Sequence, residues 1–290
     1  MTTVITGATG TVGRAVAARL AADGRPVRLL SRRPEAAGAL AGRRGVETVA
    51  VDLGDGPALR GALAGARALL VITADPLRPD HDRNLVEAAG ELPERPRLVK
   101  LSALAVTDPE ADDLITRWQR RNEELVTSSG LPWTLLRPRA FMSNTLSWAA
   151  DIRARRVVRA LGGDARNACV DPRDIAAAAV AALTSPGHDG RAHHLTGPAA
   201  ISPAEQTDQL GRLLGVPLEY REPSRAEAAE RLAARYPEPV VEALLASADR
   251  MRAGGKQRVE DGVRAATGRE PASFAAWAAD HLPAFRPAEA

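Results

Sequence analysis

The chain has 290 residues, 45% of them hydrophobic and 26% charged, with 39 lysines and arginines against 36 aspartates and glutamates and a formal net charge of +3. That length supports a substantial core, either as one large domain or as a core with an appended lobe. The single cysteine, Cys169, excludes an internal disulfide. No apolar run reaches the length of a membrane span or follows a basic leader, and the first strand pattern begins almost at Met1, so a cytoplasmic protein with no membrane partner is expected. Only Lys100 and Lys256 are lysines; the arginines are scattered and aromatics are 3% of residues, which argues against a nucleic-acid surface. The densest basic stretch, Arg153, Arg155, Arg156 and Arg159, reads as a solvated face, with an anionic substrate group as the alternative.

In chain order, Thr3-Val4-Ile5-Thr6 reads as a strand running into Gly7-Ala8-Thr9-Gly10-Thr11-Val12-Gly13, after which Val16 and Leu20 continue at helical spacing. A strand, a glycine turn and a helix N-terminus together present free backbone N–H groups and a positive dipole end to a dinucleotide pyrophosphate. Gly7, Thr9, Gly10, Thr11, Val12 and Gly13 are therefore candidate cofactor residues.

Apolar runs at 27–30, 46–51, 68–73, 98–101 and 133–136 read as further strands separated by helix-length segments, the pattern of a parallel sheet buried on both faces. An NAD site would place Asp or Glu at the end of the second strand to hold the ribose 2′-hydroxyl. Ser31-Arg32-Arg33 stands there instead. A guanidinium pairs with a 2′-phosphate and the serine hydroxyl adds a hydrogen bond, so NADP(H) is expected over NAD(H).

Beyond Pro138 the rhythm changes. Asp171-Pro172-Arg173-Asp174 opens an alanine-rich helix to about Leu183, 193–196 reads as a strand, and from Ser202 helices dominate, the first with a capping box at Ser202 and Glu205. The expected fold class is α/β: a Rossmann doubly wound parallel sheet over 1–150 and a smaller, mostly helical C-terminal substrate lobe over 151–290, with 165–197 returning to the sheet.

Four segments in order resemble the NmrA-like atypical short-chain dehydrogenase/reductases, a group that includes NADPH-dependent quinone reductases and redox-sensing regulators. They are the glycine turn 6–13; Ser129-Gly130-Leu131-Pro132-Trp133-Thr134-Leu135-Leu136-Arg137-Pro138 with Phe141-Met142-Ser143-Asn144; Val170-Asp171-Pro172-Arg173-Asp174-Ile175-Ala176; and Leu195-Thr196-Gly197-Pro198. The resemblance implies that Asp52 and Leu53 contact adenine and that Thr73, Ser102, Pro138 and Phe141 lie along the cofactor. It also implies that Phe141, Met142 and Asn144 reach the substrate. Ser102 then becomes the one candidate for positioning a substrate carbonyl.

The catalytic residues depart from that pattern. Conventional short-chain reductases use Tyr-x-x-x-Lys, in which the lysine lowers the tyrosine pKa. The two tyrosines here, Tyr220 and Tyr236, have no lysine four residues on, and Trp118-Gln119-Arg120-Arg121 stands where relatives carry a helical lysine or histidine. His81, His188, His193, His194 and His281 show no metal-ligand spacing, and His193 and His194 would face opposite sides of a strand. Two functions stay open: an NADPH-dependent reductase acting on the carbonyl of an apolar quinone or polyketide-type ketone, and a non-catalytic NADP(H)-sensing regulator.

Overall fold

The computed structural model describes residues 2–286. Strand β1 (Thr2–Ile5) leads into helix α1 (Thr11–Ala22) and β2 (Val27–Ser31); a 3₁₀ segment, Pro34–Leu40, connects to β3 (Val46–Ala50). Then follow α2 (Gly56–Leu63), β4 (Ala66–Val71), α3 (Asp80–Gly90), β5 (Arg97–Leu101), α4 (Leu114–Thr127) and β6 (Trp133–Pro138). The second half runs α5 (Ala149–Arg155), β7 (Val157–Arg159), α6 (Pro172–Thr184), β8 (Arg191–Leu195), α7 (Pro203–Leu214) and β9 (Glu219–Arg221). Helices α8 (Arg225–Ala233), α9 (Glu238–Arg252), α10 (Gly262–Thr267) and α11 (Phe274–Asp280) complete the lobe.

Seven strands form one parallel sheet in the order β3-β2-β1-β4-β5-β6-β8. Alternation along each strand divides the core into two layers. Ile5, Leu29, Leu70, Val99 and Leu136 pack on the side of α1 and α6, while Val4, Leu30, Leu69, Leu98 and Leu135 pack on the side of α2, α3 and α4. The chain leaves β1 toward β2 and returns on its other side at β4, so the ligand crevice of this topology opens at the C-terminal ends of β1 and β4. Thr6 ties those ends together: its hydroxyl accepts from the Ile72 amide at 2.7 Å and lies 2.9 Å from the Ile72 carbonyl.

Helix α6 starts where the sequence places it, with Asp171 accepting from the Arg173 amide at 2.7 Å and proline in the first turn. The Ser202–Glu205 capping box of α7 is formed, at 2.8 and 3.1 Å. Strand ends differ from the apolar runs. β4 covers Ala66–Val71, so Thr73 lies beyond it, and β6 reaches Pro138. Pairing with neighbouring strands, and not local apolarity, fixes these limits.

β8 adds to the sheet beside β6, and α6 packs on α1. A second core joins Met142, Ile152, Val158, Leu210, Phe274, Trp277 and Phe285, and the parallel pair β7–β9 lies against it. Helices α8 and α9 close on each other through Ala228, Val241 and Leu245. No helix among the described residues is long and apolar enough to cross a membrane.

Candidate functional site

The glycine turn is closed on itself. The Gly10 amide donates to the Gly7 carbonyl at 3.0 Å, and Gly7 has φ +61°, a left-handed conformation that glycine adopts without strain. A Cβ on Gly13 would sit 2.3 Å from the Gly7 carbonyl oxygen, so α1 approaches the turn as closely as backbone allows. Gly10 is the N-cap of α1 and offers no side chain to its first amides. Those amides and the helix dipole face the crevice, which is the environment a pyrophosphate requires. Thr9, Thr11 and Val12 lie on the same turn, and Val12 is buried in the layer below it.

At the second strand, the Ser31 hydroxyl accepts from the Arg33 amide at 3.1 Å, a tight local turn that leaves the Arg32 side chain exposed. Asp52 follows the neighbouring strand β3, and its carboxylate accepts from the Gly54 amide at 2.8 Å. That amide, followed by the weaker fields of Arg78, His81 and Arg32, holds the Asp52 carboxyl below its usual range. Arg32 and Asp52 therefore share one rim of the crevice. Leu53 is half-buried against the core, and its carbonyl accepts from Asn84 at 3.0 Å.

The other end of the crevice, above β5 and β6, holds a polar network that local sequence patterns did not disclose. Ser102 donates to Glu123 Oε1 at 2.6 Å; Arg137 grips the same carboxylate with Nε at 2.9 Å and Nη2 at 2.5 Å, and its Nη1 lies 3.3 Å from His194 Nε2. Beneath it, Lys100 Nζ contacts Asp82 Oδ1 at 2.8 Å and donates to Thr73 Oγ1 at 3.0 Å, while Thr73 donates to Asp82 Oδ2 at 2.6 Å. Thr73, expected along the cofactor, thus has its hydroxyl engaged inside the protein. Trp118 covers the ammonium, 5.5 Å from ring centroid to Nζ.

Helix α4 supplies one wall of this region. Trp118 Nε1, Gln119 Oε1 and both amide atoms of Asn122 are buried there with no partner among the described residues. Buried polar atoms without partners are rare and cluster where water or ligand enters. Arg120 is otherwise occupied, bridging the carbonyls of Val106 at 3.1 Å and Ala111 at 2.8 Å. Glu123, one helical turn beyond Gln119, shares its face; that spacing is the signal by which it could have been found.

Pro138 is buried at the end of β6, and Phe141 forms a bridge with Val170. Met142, expected at the substrate, is 1% exposed and packs in the lobe core, because its amide is pinned to the Val170 carbonyl at 2.9 Å and its side chain turns inward. Asn144 is exposed and lines a cleft of about 950 Å³ with Trp148, Leu161, Leu232, Tyr236 and Leu244. Tyr220 is latched within the lobe, accepting from the Gly163 amide at 2.9 Å and donating to the Ala160 carbonyl at 2.5 Å.

A parallel sheet with an uncapped glycine turn at its switch point marks a dinucleotide-binding protein, and the family described as NAD(P)H-binding matches residues 7–186. The chain belongs to that family. It is an NAD(P)H-dependent oxidoreductase, and it shares its fold with NmrA, whose mutant structure superposes with a TM-score of 0.78 at 18% identity. It is 53% identical over 284 residues to the (4-alkanoyl-5-oxo-2,5-dihydrofuran-3-yl)methyl phosphate reductase of Streptomyces griseus, covering 98% of this chain and 99% of that one. It is 34% identical to the NAD(P)H azoreductase of Xenophilus azovorans, over 97% of this chain and 98% of the relative. Among solved structures, the NADPH complex of the Escherichia coli NADPH-dependent quinone oxidoreductase superposes with a TM-score of 0.83 at 26% identity, covering 97% of this chain and 99% of that one.

The oxidoreductase's own residues fit the cofactor on geometry alone. A side chain at position 13 has no room, the α1 amides lack a cap, and no carboxylate stands at the end of β2. What this site does not bring together is a tyrosine–lysine acid. Glu123 and Lys100, near the ends of β5 and β6, are each bound to an opposite charge.

Proposed function

We propose that this oxidoreductase uses NADPH in preference to NADH and reduces an electron-poor, conjugated π system, with a phosphorylated alkanoyl-lactone as its substrate. The full-length 53% identity to the Streptomyces griseus reductase carries the substrate class. In a 5-oxo-2,5-dihydrofuran bearing a 4-alkanoyl group, the ring double bond is conjugated to two carbonyls. The expectation of an apolar aromatic carbonyl is thereby widened: quinones, azo groups and this lactone are all acceptors whose reduced anion is delocalised.

The bound nicotinamide supplies hydride, and the protein supplies position. Addition to the ring carbon leaves a negative charge spread over two carbonyl oxygens, an anion that water protonates without a strong enzyme acid. That requirement matches a site in which Tyr220 is held within the lobe and Glu123 is clamped by Arg137. Ser102 directs its proton at Glu123 in the free protein, and orients a substrate carbonyl by turning that hydroxyl to donate to the carbonyl oxygen. The cleft beside Asn144, with Trp148, Leu161, Leu232 and Leu244, suits the alkanoyl chain. The 2′-phosphate of NADPH is assigned to Arg32 and Ser31.

The deciding experiment follows NADPH and NADH oxidation by the purified protein with the phosphorylated lactone, a set of quinones and a set of isolated ketones. Turnover is expected with the lactone and with quinones, faster with NADPH, and very slow with ketones that lack conjugation. Rapid reduction of isolated ketones, or equal use of the two cofactors, would overturn the respective part of the reading.

A further inference from the structure

The segments that carry Arg139 and Lys256 are tied to one stretch of backbone, residues 168–170. Leaving β6, the Arg139 amide donates to the Leu195 carbonyl at 2.9 Å and the Ala140 carbonyl accepts from Val170 at 2.9 Å; two residues earlier, the Ala168 amide donates to the Lys256 carbonyl at 3.0 Å. Arg139 continues the alternation of β6 beyond Arg137, which places it on the α4 side of the sheet with Ser102.

Neither cation forms an ion pair with a described residue. Arg139 Nε is buried without a partner, and Lys256 Nζ donates only to Ser247 Oγ, at 2.5 Å. The acids around them have other commitments. Asp113 caps α4 and pairs with Arg250 at 2.7 Å, Glu260 pairs with Arg258 at 3.0 Å, and Asp108 accepts from the Glu110 amide at 3.1 Å. Burial, then Arg250 and Arg139, push the Lys256 ammonium down to about 8, against the pull of Asp113. Burial likewise lowers Arg139, with Glu260 and Asp108 opposing. Partly buried cations with no ion-pair contact are costly, and a phosphate, with its several acceptor oxygens and near-double charge, is the group that relieves the cost.

We propose that Arg139 and Lys256 form the subsite for the substrate's phosphate. This rests on the phosphorylated-lactone reading above. In that compound the phosphate hangs on a single methylene from the ring carbon that is reduced, so its site must lie close to the reacting end of the crevice. Arg139, one residue past β6 and on the face of Ser102, is placed for it. Arg32, to which the 2′-phosphate of the cofactor is assigned above, stands at the opposite rim beside Asp52.

The test uses the full-length protein with NADPH and three probes: the phosphorylated lactone, its phosphate-free hydroxymethyl analogue, and inorganic phosphate. The wild type is expected to prefer the phosphorylated lactone in kcat/KM by about 100-fold or more, as sites built around a polar substrate group do. Inorganic phosphate should compete with the lactone and not with NADPH. Lys256→Met and Arg139→Gln should each reduce the preference to less than about tenfold and weaken phosphate competition in proportion, whereas Lys256→Arg should retain both; NADPH titration verifies that each variant is folded. A wild-type preference near one, or a preference that survives both neutral substitutions, overturns the proposal. If the wild type reduces neither lactone yet binds inorganic phosphate through Arg139 and Lys256, the anion site stands and the substrate reading falls.

Discussion

The Ser102 hydroxyl donates to Glu123 Oε1 at 2.6 Å, and both residues are nearly excluded from solvent, at 5% and 7% exposure. Its proton is directed at a carboxylate that Arg137 also holds, so Ser102 donates to a substrate carbonyl by turning its hydroxyl away from Glu123, as a positioning group and not an acid. Ser102→Ala is expected to raise the barrier for the lactone by about 1–3 kcal/mol, one hydrogen-bonding partner in a desolvated site. Steady-state kcat/KM measures it; a far larger loss would mean that Ser102 and Glu123 relay a proton.

Cofactor choice is expected to follow Arg32. Arg32→Asp removes the partner of the 2′-phosphate and sets a like charge against it, so NADPH affinity should fall while NADH affinity changes little. Fluorescence titration with both cofactors decides this. Equal losses would mean that Arg32 does not read the phosphate.

The glycine turn separates binding from folding. At Gly10 a Cβ would meet only the Gly7 carbonyl oxygen, at 3.3 Å, and φ is −82°, so Gly10→Val should fold and lose the cofactor by blocking the pyrophosphate. At Gly13 the same carbonyl would be 2.3 Å away, so Gly13→Ala should destabilise the apoprotein by about 1–3 kcal/mol as the turn is forced open. Urea unfolding and NADPH titration of both variants distinguish the two effects.

Lys100 and Asp82 form an ion pair with both side chains at 0% exposure. Lys100→Met leaves the carboxylate without its counter-ion and should cost about 3–5 kcal/mol of stability. The double variant Lys100→Met, Asp82→Leu should regain most of that loss. If it is no more stable than the single variant, the pair does not account for the effect.

Burial, followed by the charges of His188, Arg191 and His194, holds the His193 imidazole down to about 4. The unfolded chain, with an ordinary imidazole, therefore binds more protons than the native state between about pH 6.5 and 4. Stability should be full above that range and decline as pH falls through it, by up to about 1.4 kcal/mol per pH unit. His193→Gln should flatten this part of the curve in urea melts taken at several pH values; an unchanged slope would assign it to other groups.

The glycine turn, the apolar strands and the proline-led start of α6 are local patterns, and the sequence by itself determined them: each depends on residues a few positions apart whose spacing fixes backbone geometry. The absence of a carboxylate after β2 and of Tyr-x-x-x-Lys was equally plain. Tertiary structure alone decided which polar residues meet. Lys100 reads as an isolated lysine in an apolar strand until α3 brings Asp82 against it, and Glu123 reads as one more charge on α4 until β5 and β6 present Ser102 and Arg137. Met142 turned into the lobe core because Val170, on a returning segment, pins its backbone. Arg139 and Lys256 share a neighbourhood only because residues 168–170 run between them. Periodicity fixes the face of a helix or strand, but a partner distant in the chain is chosen by packing, whose range in sequence has no local signature.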